Sequence, residues 1–232
     1  MRTTFTSRRE AKETRKLQVV LFDLDGTVLK NTYNAKEAKI ALIKRIAELG
    51  LDVRGITVDD TVATMMQQAE GQVEKEGKLS RESLRKNLCM VLDKFDIEAL
   101  SESELTKGAQ HVIGELKKTG IKVGLVSNSG SKGVKLAFKK FGIQKFFDVV
   151  VTRDDVKRIK PNGECITRAL SALGYNPSDA AYVGDSWIDV TAAKDAGVMA
   201  IAIAGGVSPK EKLLQASPDK IIHSLDELLK IV

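Results

Sequence analysis

Two aspartates one residue apart, Asp23 and Asp25, close the apolar run Val19-Val20-Leu21-Phe22 and lead directly into Gly26-Thr27. Side chains alternate along a strand, so positions 23 and 25 share a face and emerge together where the strand stops. Gly26 leaves the backbone free to turn away. Two like charges side by side repel unless something positive joins them. A hard cation with oxygen ligands, typically Mg²⁺, would relieve the repulsion and hold a phosphate against the first carboxylate. The chemistry this pair suggests is phosphoryl transfer; the alternative the same residues allow is a plain polar turn, since Asp and Gly are common turn residues.

Two further apolar runs end in polar groups. The run 121–126 stops at Ser127-Asn128-Ser129-Gly130, and the run 180–183 stops at Gly184-Asp185-Ser186, with Asp189 close behind. Between them lies Ile159-Lys160-Pro161, where the proline disfavours helix at the residue before it and so places Lys160 in a loop. If the runs are parallel strands, their carboxyl ends converge on one rim. Acids, hydroxyls and one ammonium would then line a single anion site. Lys157 and Arg158 are nearby rivals to Lys160.

The elements that must position these groups follow from the apolar pattern. Short apolar runs recur at 18–22, 121–126, 149–152, 180–183, 199–204 and 220–222, and from residue 121 onward segments with helical spacing separate them, at 133–141, 164–173, 189–196 and 209–216. Gly142, Gly174 and Gly197 stand where those helices should stop. Alternating strand and helix predicts an α/β, Rossmann-like three-layer core with a mainly parallel sheet, whose ligands bind outside the carboxyl ends of the strands.

Residues 31–106 break the alternation. Ala35, Ala38, Leu42, Ile43, Ile46 and Leu49 fit one helix stopped by Gly50; Val58, Val62, Met65, Met66 and Ala69 fit a second opened by Thr57; Leu84, Leu88, Val91, Leu92 and Phe95 fit a third. Ser101 with Glu104 reads as a capping box opening another short turn, after which the chain returns to the core near Gly108. The expected organisation is a core of residues 1–30 and 107–232 and an all-helical insert over 31–106, bundled over the strand ends. The methionine pair reads as core filler.

Composition bounds the partners. With 43% hydrophobic and 29% charged residues the chain reads as an ordinary globular protein, and no apolar stretch approaches the roughly 20 residues that span a bilayer. Two cysteines, Cys89 and Cys165, cannot build a disulfide framework, and the first residues lack the apolar segment of a signal peptide, so a cytoplasmic location is expected. Residues 1–16 hold Arg2, Arg8, Arg9, Lys12, Arg15 and Lys16 against Glu10 and Glu13, most of the net charge of +6. Such an arm reads as a solvated terminus, and the 5% aromatic content offers no stacking platform for nucleic acid. A small phosphorylated molecule is the expected partner; oligomeric state is not legible.

The chain resembles the haloacid-dehalogenase-like hydrolase superfamily. Asp23-Leu24-Asp25-Gly26-Thr27 is similar to its nucleophile motif, Val126-Ser127-Asn128 to its second, Lys160-Pro161 to its third, and Gly184-Asp185-Ser186-Trp187-Ile188-Asp189 to its acidic fourth. The helical insert matches, in place and length, the cap of the phosphoglycolate-phosphatase-like branch. The resemblance implies that Asp23 attacks phosphorus to give an aspartyl-phosphate, and that Asp25 protonates the departing oxygen and later deprotonates water, a contribution of about 10²–10⁴-fold. It implies phosphate binding by Ser127, Asn128 and Lys160. Mg²⁺ would be held by Asp23, the backbone carbonyl of Asp25 and Asp185, with Gly26 and Thr27 supporting. Asp189 either assists the metal or serves as an N-terminal helix residue. The acid at position 25 favours phosphate over dehalogenase chemistry. A phosphosugar mutase, a phosphonate hydrolase and a non-catalytic binding protein on the same fold remain alternatives, and His111 and His223 lie away from all four motifs.

Overall fold

The computed structural model describes residues 17–30, 32–77 and 79–232. The basic arm over 1–16 lies outside the described residues, as does Asn31, which follows the first motif. Six strands form one all-parallel sheet in the order β3-β2-β1-β4-β5-β6: β1 Val19–Phe22, β2 Lys122–Val126, β3 Val149–Val151, β4 Ala180–Gly184, β5 Met199–Ile203 and β6 Lys220–Ile222. All six coincide with the apolar runs of the sequence to within one or two residues.

Burial on both faces explains why β1 reads as a continuous apolar run rather than an alternating one. Val19 and Leu21 pack with side chains of α6 (Glu164–Leu173), α7 (Trp187–Asp195) and α8 (Lys210–Gln215), whereas Val20 and Phe22 pack with α4 (Ala109–Lys118) and α5 (Ser131–Phe141). Helices therefore cover both sides of the sheet, as the α/β reading expects. The register aligns Phe22 with Leu125 on one side and Val183 on the other. The residues that follow those three positions consequently leave the sheet at one level.

Between β1 and α4 the chain makes three helices, α1 (Ala35–Glu48), α2 (Val62–Glu76) and α3 (Arg81–Glu102), numbered with the rest in chain order. Each opens on a side-chain cap: Asn34 accepts from the Glu37 N–H, Thr61 from Thr64 and Ser80 from Ser83. Leu42, Ile46, Met65, Met66, Leu84, Leu88 and Leu92 are buried among them, so the methionine pair is core filler. The two connecting segments run antiparallel, with Lys30 N–H donating to the Glu104 carbonyl (2.8 Å) and Thr106 N–H to Val28 (3.0 Å).

The insert departs from its sequence pattern at two places. Thr57 does not open the second helix; its N–H and hydroxyl donate to the Asp60 carboxylate in a separate turn, and the helix begins after Thr61. Ser101 and Glu104 make no capping box. Ser101 lies in the last turn of α3, its hydroxyl donating to the Glu98 carbonyl, and Glu104 pairs with Lys30. No helix among the described residues is long and apolar enough to cross a membrane.

Candidate active site

The sheet register delivers the site. Asp23 continues β1 by one residue, its N–H donating to the Val183 carbonyl of β4 (2.9 Å), and Ser127 continues β2, its N–H donating to the Val151 carbonyl of β3 (3.0 Å). Asp185 follows β4 directly. Lys160 comes from the turn before α6, and although it lies 137 residues from Asp23 its ammonium donates to Asp23 Oδ1 at 2.6 Å. The same Nζ donates to Asp189 Oδ1 (2.6 Å) and to the Tyr182 hydroxyl oxygen (2.7 Å), and the Tyr182 hydroxyl donates onward to the Val126 carbonyl (2.9 Å). All three ammonium protons thus have buried acceptors, and Lys160 is 3% exposed. Lys157 and Arg158 are exposed, and their backbone N–H groups donate to the carboxylate of Glu164.

One oxygen from each of Asp23, Asp185 and Asp189 lies within 4.8 Å of the other two, about the span across a single cation with ~2.0–2.6 Å bonds. These three carboxylates face one ammonium, which leaves two negative charges unmatched. The strain shows in the acids. Burial, opposed by Lys160 but reinforced by the neighbouring Asp189, Asp185 and Asp25, holds Asp23 well above the usual carboxylate range. Burial and the charge of Asp189 push Asp185 up to about 7. Lys160, in turn, is held charged by Asp189 and Asp23 despite its burial. An all-oxygen donor set with a deficit of two positive charges fits a hard divalent cation.

Close approach, rather than side-chain chemistry, explains the glycine of the first motif. Gly26 has φ +91, and a Cβ there would stand 2.2 Å from the Asp185 carboxylate, so only glycine lets β1 and β4 bring their acids together. Asp185 Oδ2 accepts from the Val207 N–H (2.6 Å). Thr27 is fully buried.

The two remaining acids differ in posture. Asp25 points its Oδ2 at the Ser129 hydroxyl (2.5 Å), and burial, partly offset by that hydrogen bond, raises its pKa. Asp189 is committed locally as well: its Oδ2 accepts from the Ser186 N–H (3.0 Å) and hydroxyl (2.6 Å), a reciprocal capping box at the start of α7. Asp189 therefore both caps its helix and anchors Lys160. Asn128 spends its side chain on the Lys160 backbone, donating to the carbonyl (3.1 Å) and accepting from the N–H (3.0 Å). Ser127 is buried, and its Oγ accepts from the Ser129 N–H (3.0 Å). Both histidines are exposed and lie outside this cluster.

Several participants carry no role in the sequence reading. Tyr182 hides in an apolar run, and only its hydroxyl distinguishes it from a core residue. Val207 acts through its backbone, for which the Gly205-Gly206 pair just before it is the sole signal. Ser129 stands beside Asn128, and its residue type alone does not mark it as the partner of Asp25.

The model of the haloacid dehalogenase-like hydrolases matches residues 20–203. The chain belongs to this family. A pyrophosphatase PpaX from Bacillus velezensis is 40% identical over 119 residues, 51% of this chain and 55% of that protein, so the match spans about half the length of that relative. One from Bacillus cereus is 30% identical over 230 residues, covering 94% of this chain and 97% of its own. Among solved structures, a haloacid dehalogenase-like family hydrolase from Streptococcus pneumoniae superposes with a TM-score of 0.60 at 20% identity, over 92% of this chain and 97% of that one. A haloacid dehalogenase superfamily hydrolase from Geobacter sulfurreducens gives 0.57 at 21%, over 93% and 100%. These likenesses show the fold.

Proposed function

We propose that the protein is a Mg²⁺-dependent phosphatase of small phosphorylated metabolites, working through an aspartyl-phosphate on Asp23, with residues 31–106 acting as a cap over the rim. The observation that carries this reading is the buried contact between Asp23 and Lys160, within ligand distance of Asp185, while Asp25 stands apart on Ser129. Nucleophile and acid–base group are thereby separated.

In this reading Asp23 attacks phosphorus as the bond to the leaving oxygen breaks, and the protonated Asp25 gives that oxygen its proton. Burial, which raises the Asp25 pKa, favours the protonated form this step needs. Asp25, now a carboxylate, takes a proton from water as the water attacks phosphorus, and the Asp23 carboxylate departs with inorganic phosphate as product. Lys160 and Ser127 supply positive charge and a donor to the phosphoryl oxygens, with Asn128 securing the Lys160 backbone. The cation would be held by Asp23, Asp185 and the Asp25 carbonyl, and would supply the positive charge that keeps Asp23 ionised and offsets the phosphoryl charge. Asp189, Gly26 and Thr27 support the arrangement.

A second substrate class has its own support. The relatives named pyrophosphatase bring the P–O–P linkage into range, where the same attack by Asp23 would release inorganic phosphate as the leaving group. Assaying the purified protein against phosphorylated metabolites, an aryl phosphate and pyrophosphate, with and without Mg²⁺, tests the proposal. Phosphate release that requires Mg²⁺ is expected; no release from any of them would overturn it.

A further inference from the structure

A second buried ion cluster lies beside the first and is not used by the chemistry above. Arg153, in the short turn after β3, is 2% exposed, yet it is a full cation on a segment with no assigned role. Its guanidinium reaches in two directions. Nη1 donates to the Asn128 carbonyl of the core (2.8 Å), while Nη2 donates to Asp96 Oδ2 (2.7 Å) and to Asp93, both on helix α3 of the insert. Asp96 Oδ2 also accepts from the Gly130 N–H (2.9 Å), and the Arg153 N–H donates to the Ser129 carbonyl (3.3 Å). Residues 128, 129 and 130 are thus each held by Arg153 or by its partner Asp96. The Ser129 hydroxyl, in the middle of that segment, is the group that grips Asp25.

Helix α3 has a further tie at the same place. Arg85 donates to the carbonyls of Arg153 (2.7 Å), Val156 (2.7 Å) and Lys157 (2.8 Å), so the helix of the insert is fastened to the segment that carries the guanidinium. The fit at Gly130 is close: a Cβ there would stand 2.4 Å from Asp93 Oδ1 and 2.7 Å from the guanidinium.

We propose that Arg153 and Asp96 are positioning residues, which dock α3 onto the 128–130 segment and through Ser129 aim the Asp25 carboxylate. A buried ion pair is a weak source of net stability, because desolvation opposes the attraction, and its best-attested use is to specify one arrangement. Here the arrangement specified is that of the acid–base group, for which a displacement of about 1 Å can cost about 10²-fold in rate. The proposal rests on the reading of Asp25 as the acid–base residue.

Asp96→Asn is the variant of choice: it removes the charge but keeps the shape, and burial already pushes the Asp96 carboxyl up to about 6, so a neutral group is tolerated. With an aryl phosphate and Mg²⁺, Asp96→Asn is expected to lower kcat at least tenfold with little change in KM. Ser129→Ala should lower it similarly, and the double variant should be no worse than the poorer single one. Arg153→Lys, which keeps the charge but not the fork, should recover only part of the rate that Arg153→Met loses. Multiplying effects of Asp96→Asn and Ser129→Ala, or a wild-type kcat in Asp96→Asn, would overturn the proposal. Amide exchange gives a readout independent of turnover: the Gly130 N–H should exchange at least tenfold faster in Asp96→Asn while β4 is unchanged, and equal protection at Gly130 would overturn the docking role. Should the wild-type protein hydrolyse no phosphate compound, that failure belongs to the proposed function, and the exchange experiment still judges the docking role.

Discussion

The two buried clusters are built from the same ingredients and balanced differently. Around Lys160, the carboxylates of Asp23 and Asp189 contact the ammonium and Asp185 stands beside them, with an oxygen of each of the three within 4.8 Å of the others. Around Arg153, two carboxylates face one guanidinium, and the remaining contacts run to backbone atoms: the Asn128 carbonyl and the Gly130 N–H. The first cluster carries an unmet charge that a ligand can satisfy. The second carries a smaller excess, one negative charge by the same count, and apart from the buried Arg153 Nε, which has no hydrogen-bond partner, its polar contacts are made by groups of the insert and the core. The larger charge deficit marks a place for chemistry, and contacts made mainly to the backbone mark a place that holds position.

The largest expected difference is in turnover. Asp23→Asn replaces a carboxylate nucleophile by an amide and should abolish hydrolysis of an aryl phosphate while circular dichroism and thermal melting show an intact fold. Asp25→Asn should cost about 10²–10⁴-fold, the worth of acid–base assistance, and a loss below tenfold would remove Asp25 from that role. Metal titration sharpens the contrast without requiring activity. Mg²⁺ at a hundredfold excess over its Kd should stabilise the protein by about 2.7 kcal/mol, seen as a rise in Tm. Asp185→Asn should lose that rise and Asp96→Asn should keep it; the reverse pattern would exchange the roles of the two clusters.

Acid dependence separates them further. Asp96 is pushed up to about 6 by burial, which outweighs the attraction of Arg153, from an ordinary value of 3.8. A carboxyl that binds its proton more tightly when folded favours the fold below about pH 4, and that contribution is lost as pH rises through 6. Denaturant unfolding of Asp96→Asn should therefore show a flatter decline than the wild type between pH 4 and 6, by at most about 3 kcal/mol. Parallel curves would show that Asp96 titrates normally. The smallest effect belongs to the insert away from both clusters. Thr61→Ala removes the cap of α2 and should cost about 1 kcal/mol in stability with kcat unchanged.

How much could be read in advance follows the same division. The strands were legible because burial on both faces writes a continuous apolar run, and Asp23, Asp25, Asp185 and Lys160 were legible because each stands where such a run or a proline forces a loop. The second cluster was not. Arg153 meets Asp96 across 57 residues and Asp93 across 60, and no local pattern records a partner so distant. A backbone donor such as the Val207 N–H is signalled only indirectly, here by the Gly205-Gly206 pair, where a Cβ on Gly206 would stand 2.3 Å from Asp185 Oδ2. In the insert, Thr57 and Thr61 are both acceptable caps with an Asp or Thr three residues on; Thr57 spends its N–H and hydroxyl on Asp60 in a turn of its own, and Thr61 accepts from the Thr64 N–H. Ser101 met the pattern for a helix start, yet α3 runs through it, because Leu100 is buried against the core and Lys140 of α5 donates to the carbonyls of Leu100, Ser101 and Ser103 at that helix end.

The Asp23 carboxylate, gathered with Lys160 and Asp185, is proposed as the group that receives phosphorus. Acid-quenching the protein during turnover of an aryl phosphate with Mg²⁺, followed by peptide mass mapping, tests it most directly. The peptide containing Asp23 should gain the mass of one phosphoryl group, with fragmentation placing it on Asp23. A phosphoryl group on any other residue, or undiminished turnover in Asp23→Asn, would remove Asp23 from that role.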